Sequence, residues 1–439
     1  MARDPELAAK FRKISPTYHM VATTGRHWVL LMLFLAAMLT YLDRVCLSAA
    51  APAMSKDLHL TPIQMGYVFG IFNLAYALFE IPMSWQGDRT GQRKLLTRIV
   101  ACWSIFTVLT GLARSYTALL AIRFGFGAAE SGAFPTMSRA LARWFPASDR
   151  AKATGVMWTG ARLGGAAAPA LAVLLIQGIG WRTMFTSFGT IGVIWCVLFS
   201  RWYRDDPADH PSVNSLELAI IRGKTSSQIL LPRQQEATPW YRILSSRNLW
   251  TLFAMYFCSA FGFQFFVTWL PTFLIKDHGL SFERSGLYSA IPLASGALGC
   301  LLGGALSDWL VSVTGNLEWS RRSIGVGGFL LAAAGFGLAA AAHNSLTAVL
   351  LLALSAGAHD LTLPVAWATC LDIGGRHGGT TGGIMNMASC LSAMLSPVSA
   401  AWLSTKFGSF NSMLVVVAAT YVVGGLLWLY IDPAHPVSD

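Results

Sequence analysis

The sequence predicts an all-α integral membrane protein in which twelve transmembrane helices form two six-helix bundles. Three observations predict it. Of 439 residues, 54% are hydrophobic and 12% charged, and the mean hydropathy is +0.52, too apolar for a chain that presents its surface to water. Twelve stretches approach the ~20 apolar residues that a helix needs to cross hydrocarbon. One long polar break, 203–247, leaves six of those stretches on either side.

Residues 1–27 form a polar tail with no small-residue cleavage site after the first apolar stretch, so that stretch is not a removed signal peptide. Span one, 28–51, ends in TYLDRVCLSAAAP and sets Asp43 beside Arg44 at membrane depth, with Tyr41 just ahead. Span two, 64–86, carries Tyr76 and Glu80 one turn apart. It leads into SWQGDRTGQRK, a short basic loop with Asp88, Arg89 and Arg93, before span three at 95–113. Span four, 116–140, contains IRFGFGAAESGAFP and so puts Arg123 and Glu130 inside the bilayer. Seven residues is close to two turns, so the two charges share a face roughly 10 Å apart along the axis. An ionisable group at that depth costs at least ~2.5 kcal/mol unless it is paired or faces water, which points to a polar cavity.

The loop RALARWFPASDRAKATG leads to span five, 152–176, where Arg162 sits in GARLGGAAAPAL among residues small enough for close helix approach. Span six is 182–202. In the polar break, Pro207 and Pro211 interrupt YRDDPADHPSVNSLELAII ahead of a short amphipathic helix. Spans seven to twelve follow at 248–274, 284–306, 324–342, 345–371, 379–403 and 411–431, with a second short tail at 432–439. The aromatic run FCSAFGFQFFVTWLPTF holds Gln264, span ten holds His359 and Asp360, and span eleven holds Asn386 in TTGGIMNMASCLSAMLSP. Asp88…Arg93-Lys94 after span two reappears as Asp308…Arg321-Arg322 after span eight, half a chain later. Such a repeat marks two bundles, here 28–202 and 248–431, related about the membrane normal.

The net charge of +11 is a matter of topology. With the N-terminus inside, 22 of the 32 Lys and Arg fall in cytoplasmic segments and six in outer loops. That bias places both termini in the cytoplasm and removes the nucleic-acid reading. The seven cysteines lie singly in or at the ends of spans, without CxxC, and read as apolar fillers, with neither disulfides nor a metal site implied. No Asn-x-Ser/Thr sequon occurs, which favours a bacterial inner membrane. Eight of nine histidines are scattered over tails, loops and span ends, and no GxxxxGK[ST] run exists, so neither a membrane enzyme nor an ATP-driven pump is indicated and no cofactor is expected.

YLDRVCLSAAAPAM in span one, RFGFGAAESGAFPTMSRALARWFPASDRAKATG across span four, YRDDPADHP after span six, FFVTWLP in span seven and GGIMNM in span eleven carry a resemblance. With the loop SWQGDRTGQRK they make the chain resemble the major facilitator superfamily, nearest to its anion:cation symporter family of sialin-like, hexuronate and galactonate transporters. The resemblance covers nearly the whole chain. It implies proton-coupled symport of an organic anion. It also implies that Arg44 contacts the substrate carboxylate, that Asp43 and Glu130 couple protons, that Arg123 interacts with Glu130, and that Asn386 helps hold the polar end of the substrate. The chain departs from the family pattern at Met83-Ser84, Glu80, Arg162 and His359-Asp360.

The residues support the same chemistry independently. Arg44 suits a carboxylate because its planar fork donates two parallel hydrogen bonds. Glu130 sits between burial, which opposes its charge, and cations, which favour it, and such a carboxyl changes protonation when solvent access changes. Arg162 reads as a third anion contact or as a partner of Glu80 or Glu130. His359-Asp360 reads as a second proton site or as a satisfied pair stiffening span ten. Tyr41, Tyr76 and Gln264 are cavity contacts, and Asp88, Arg89 and Arg93 form a conformational loop. The expected function is symport of a small organic anion with protons by alternating access, from a monomer in the lipid bilayer. A hexuronate, aldonate or aldarate is the expected substrate class. The alternative is an exchanger or facilitator for another carboxylate, aromatic or tartrate-like, without proton coupling.

Overall fold

A computed structural model describes residues 22–222, 240–374 and 378–433. The expected tails at 1–21 and 434–439, linker residues 223–239, Arg376 and the side chains of Asp88, Arg89 and Asp308 lie outside the described residues. The described residues are helical, without strands. Ten helices are long and apolar enough to cross a membrane. Two further spans emerge because α6 (Ala147–Trp202) is two helices joined at Gly180, φ 79°, and because span four is built from two shorter pieces.

In the first bundle α1 is Gly25–Asp57, α2 Pro62–Thr90, α3 Gln92–Leu112, α4 Tyr116–Glu130 and α5 Ala133–Trp144, with α6 supplying spans five and six. The expected loop between spans two and three is a single residue, Gly91, at φ 78°. Only glycine adopts that conformation without strain, so helix runs to within one residue on either side. Span four is likewise not one helix. It stops at Glu130 because the Pro135 ring collides with the carbonyl of Ser131 in a continuous helix. The linker adds a short α7, Ser215–Arg222.

The second bundle contains α9 (Arg247–Thr268), α10 (Leu270–Lys276), α11 (Phe282–Thr314), α12 (Leu317–Ala340), α13 (Ser345–Gly374), α14 (Gly378–Phe407) and α15 (Asn411–Trp428), preceded by the short α8, Trp240–Ser245. Pro271 splits span seven into α9 and α10. Each bundle has an arginine–carbonyl bond joining the start of one helix to the end of another. Arg93 Nε donates to the Ser200 carbonyl near the end of α6 at 2.8 Å. Arg322 Nε donates to the Ile431 carbonyl just past α15 at 2.8 Å. Gly315, φ 64°, takes the place of Gly91 between α11 and α12.

Packing follows helical spacing. α3 buries Leu95, Leu96, Ile99, Val100, Trp103, Ser104 and Thr107, while Ile105 and Leu112 stay 53% and 62% exposed on the other face. In lipid that exposure carries no penalty, and association depends on close fit. Gly160 and Gly164 of α6 supply the fit, since a Cβ at either would strike the carbonyl of Phe34 or Met38 on α1.

The linker helix is tied to the start of α1. Buried Glu217 accepts from Gly25 N at 3.1 Å and Arg26 N at 2.8 Å, and from the Thr23 hydroxyl. A carboxylate on the free N–H groups of a helix start is favourable both as a hydrogen-bond cap and against the helix dipole. The seven cysteines are free thiols.

The bundles meet through α2 against α14 and α6 against α11. Gly66 and Gly70 lie on the backbone of Pro397 and Met394, Asn73 Nδ2 donates to the Ala393 carbonyl at 3.2 Å, and Gln177 bonds Glu283. Phe69 meets Trp269 edge to face at 5.3 Å. These contacts gather toward the end of the molecule away from the start of α1 and the end of α15, and they hold the bundles together there.

Candidate functional site

The charged residues of α1 and α4 converge inside the first bundle. Asp43 and Arg44 are neighbours on one helix, so their side chains leave about 100° apart and find different partners. Arg44 Nε binds Glu130 Oε1 at 2.6 Å, and Glu130 is fully buried. The Arg44 guanidinium also lies 5.4, 5.0 and 4.9 Å from the ring centres of Tyr41, Phe72 and Tyr76. A ring at that distance stabilises a cation by about 0.5–1 kcal/mol at an exposed site and by about 2 kcal/mol when desolvated. The ion pair to Glu130 is thus made by Arg44 of α1, and Arg123 takes a different place.

Arg123 is 3% exposed and rests on the rings of Phe126 at 4.4 Å and Phe72 at 5.3 Å. It lies within electrostatic reach of Glu130 and Asp43. Asp43 is 2% exposed. Four polar atoms of this group, Asp43 Oδ1, Arg44 Nη2, Arg123 Nε and Glu130 Oε2, have no hydrogen-bond partner. Two acids and two arginines balance in formal charge, yet each holds a donor or acceptor in reserve. Such a cluster can take in an oxyanion or a proton while keeping most of its existing contacts.

A second centre joins the bundles. Arg162 Nη1 of α6 stands 3.2 Å from Asp360 Oδ2 of α13. The sequence offered Glu80 or Glu130 as partners for Arg162, and the structure supplies Asp360 instead. Asp360 Oδ1 is bound to His359 Nδ1 at 2.9 Å, and His359 Nε2 to Ser259 Oγ at 2.7 Å. The imidazole is stacked between Phe263 at 5.8 Å and Tyr421 at 5.3 Å. Asp360 entered sequence reasoning only with its neighbour His359, although a charge balance carries a signal. With Asp43 and Glu130 matched by Arg44 and Arg123, Arg162 is the cation left over.

Asn386 of α14 donates to Glu80 of α2 at 2.8 and 2.9 Å, a further link between bundles. Tyr41 and Arg162 line one narrow cavity with Val45, Gly165, Phe263, Val267 and Leu293, of about 10 Å³. That is room for about one water, so nothing larger enters until the bundles part. A wider hollow of about 610 Å³, beside Trp319 and Arg322, is remote from both charge centres. Gln264 is half-buried on α9 and takes part in none of these pairs. Arg93 lies at the termini end, bound to the end of span six and, through its backbone N–H, to Asp205 at 2.9 Å. Among the described residues no group of three or more His, Cys, Asp or Glu is placed to hold a metal.

A family model for the Major Facilitator Superfamily matches residues 33–397. A probable sulfoacetate transporter of Cupriavidus necator is 36% identical over 94% of this chain and 95% of its own length. A probable galactarate/D-glucarate transporter of Escherichia coli is 28% identical over 93% of each chain. A hexuronate transporter of Bacillus subtilis is 30% identical over 91% of this chain and 92% of its own. The crystal structure of a bacterial homologue of the human lysosomal transporter Spinster, inward-facing and occupied, superimposes with a TM-score of 0.76 at 21% identity, covering 92% of this chain and 96% of that one.

Proposed function

The chain belongs to the major facilitator superfamily, and from that premise we propose that it couples entry of a small organic anion to entry of protons. The observation that carries this is the Arg44–Glu130 pair at membrane depth. An arginine fork there is the natural receptor for a carboxylate or sulfonate, and the counter-ion holding it is a group that can be neutralised by a proton. Substrate and Glu130 therefore compete for one guanidinium. A proton on Glu130 weakens the competitor and frees Arg44, so substrate and proton bind together. Asp43, with an oxygen unbound, stands next in line as a proton acceptor. Arg123 holds positive charge beside both acids, and Tyr41 and Tyr76 flank the fork.

The substrate class is a sugar acid or a compact acid of similar charge, in keeping with relatives named for sulfoacetate, glucarate and hexuronate. With both termini cytoplasmic in a bacterial inner membrane, the end where α2 packs on α14 faces outward. Each net charge moved inward contributes ~2.3 kcal/mol per 100 mV, enough for roughly fifty-fold accumulation. Uptake into proteoliposomes tests the proposal with sulfoacetate, aldonates, hexuronates and aldarates, with and without a pH gradient. Accumulation of at least one of them that collapses when the gradient is dissipated is the expected result. Uptake indifferent to the gradient for every compound removes the proton from the reading.

A further inference from the structure

We propose that Asp360 is the resident occupant of an anion subsite on Arg162, and that the second acidic group of a dianionic substrate displaces it. The proposal rests on the transport reading above and adds the place where a second charge is read. Asp360 is 1% exposed, yet its Oδ2 has no hydrogen-bond partner even though Arg162 Nη1 lies 3.2 Å away. The two attract without the alignment that makes an arginine–carboxylate pair strong. An external carboxylate or sulfonate is free to orient and can take two parallel N–H bonds from the same fork.

The surroundings fit an exchange of anions at this point. Arg162 lines the narrow cavity together with Tyr41, and Tyr41 also touches the Arg44 guanidinium, so one side chain lies between the two cationic poles. Arg162 rests on the Phe263 ring at 5.3 Å, which holds the guanidinium toward the interface when its partner changes. Displaced from Arg162, Asp360 keeps its bond to His359, which Ser259 and the flanking aromatic rings hold in place. The released carboxylate therefore keeps one hydrogen bond, which lowers the cost of parting it from its cation. Because Arg162 and Asp360 belong to different bundles, the exchange also removes a tie that holds the cavity shut.

Binding to the purified protein decides this, with glucarate as the dianion and gluconate as the monoanion, read as the ratio of their affinities. In Asp360→Asn the competitor is gone, and the glucarate-to-gluconate ratio is expected to rise at least fivefold. The neutral pair Arg162→Gln with Asp360→Asn leaves no orphaned charge, so it stays informative if the single variant does not fold. Its ratio is expected to fall at least tenfold below the wild type. A ratio that stays at the wild-type value in the neutral pair overturns the proposal, because a mere tie between bundles does not tell one anion from two. A wild type that binds only gluconate leaves the transport reading standing and removes this one. A wild type that binds neither, nor sulfoacetate nor a hexuronate, removes both.

Discussion

Arg44 and Glu130 show what a single contact decides. Reading α4 alone, Arg123 and Glu130 share a stripe, and the seven-residue spacing says that they do not touch. Which cation closes on Glu130 depends on the rotation of α1 about its axis, and no local pattern encodes that. The 2.6 Å pair makes Glu130→Gln the decisive substitution, since glutamine keeps size and hydrogen bonding but cannot ionise. That variant is expected to exchange labelled for unlabelled substrate across the membrane while losing accumulation driven by a pH gradient. Paired counterflow and uptake on one reconstituted preparation measure both, and accumulation at wild-type level would remove Glu130 from coupling. Arg44→Lys keeps the charge and loses the fork. Its substrate affinity is expected to drop at least tenfold, about 1.4 kcal/mol or more, and a wild-type Kd by calorimetry would take Arg44 out of the carboxylate site.

Helix breaks and the linker belong to the next level up. Spans four and seven were expected as single helices despite Pro135 and Pro271, because whether a proline ends, bends or restarts a membrane helix depends on what re-satisfies the freed backbone. The short linker helix was expected from its amphipathic pattern; its docking on α1 through Glu217 was not, because the partner is nearly two hundred residues away. His210 in this linker is buried against Trp144 and Trp202, and its Nδ1 accepts from the Ser212 backbone N–H at 3.2 Å. Burial holds its pKa below the usual value of 6.5, against a smaller opposing effect of a backbone hydrogen bond at Trp202. A base whose folded pKa is depressed binds its proton more readily when released. Its stabilising contribution is therefore complete above about pH 6.5 and is lost as pH falls toward the lower folded value. Hydrogen exchange of residues 203–222, corrected for intrinsic rates, is expected to quicken between pH 7 and pH 5. His210→Phe, which keeps the aromatic packing, should flatten that dependence, and an unchanged slope would place the sensitivity elsewhere.

Across the whole molecule the bundles are held at one end by backbone-close packing and at mid-depth by polar ties. Gly70 admits the Met394 carbonyl so closely that a Cβ would stand 2.6 Å from it, and Gly66 is similarly placed over the Pro397 carbonyl at 2.9 Å. Neither neighbour is a movable side chain. Gly70→Leu is therefore expected to disfavour the state sealed at that end and to expose the crevice between α2 and α14. In a cysteine-free background, a thiol introduced at Met394 should react with a membrane-impermeant maleimide at least several-fold faster when Gly70→Leu is present. Equal rates would mean that this contact does not govern closure.

The sequence alone settled the class of the protein, its span count and the identity of its membrane-depth charges. Each follows from local composition: hydrocarbon excludes polar backbone and unpaired charge, so apolar length and isolated ionisable residues stand out residue by residue. Only the tertiary structure decided the partners: Arg44 with Glu130, Arg162 with Asp360, Asn386 with Glu80. Those pairings span 86, 198 and 306 residues of chain. They depend on how helices rotate and how two bundles face each other, and a hydrophobic pattern leaves both open because lipid accepts any apolar face equally.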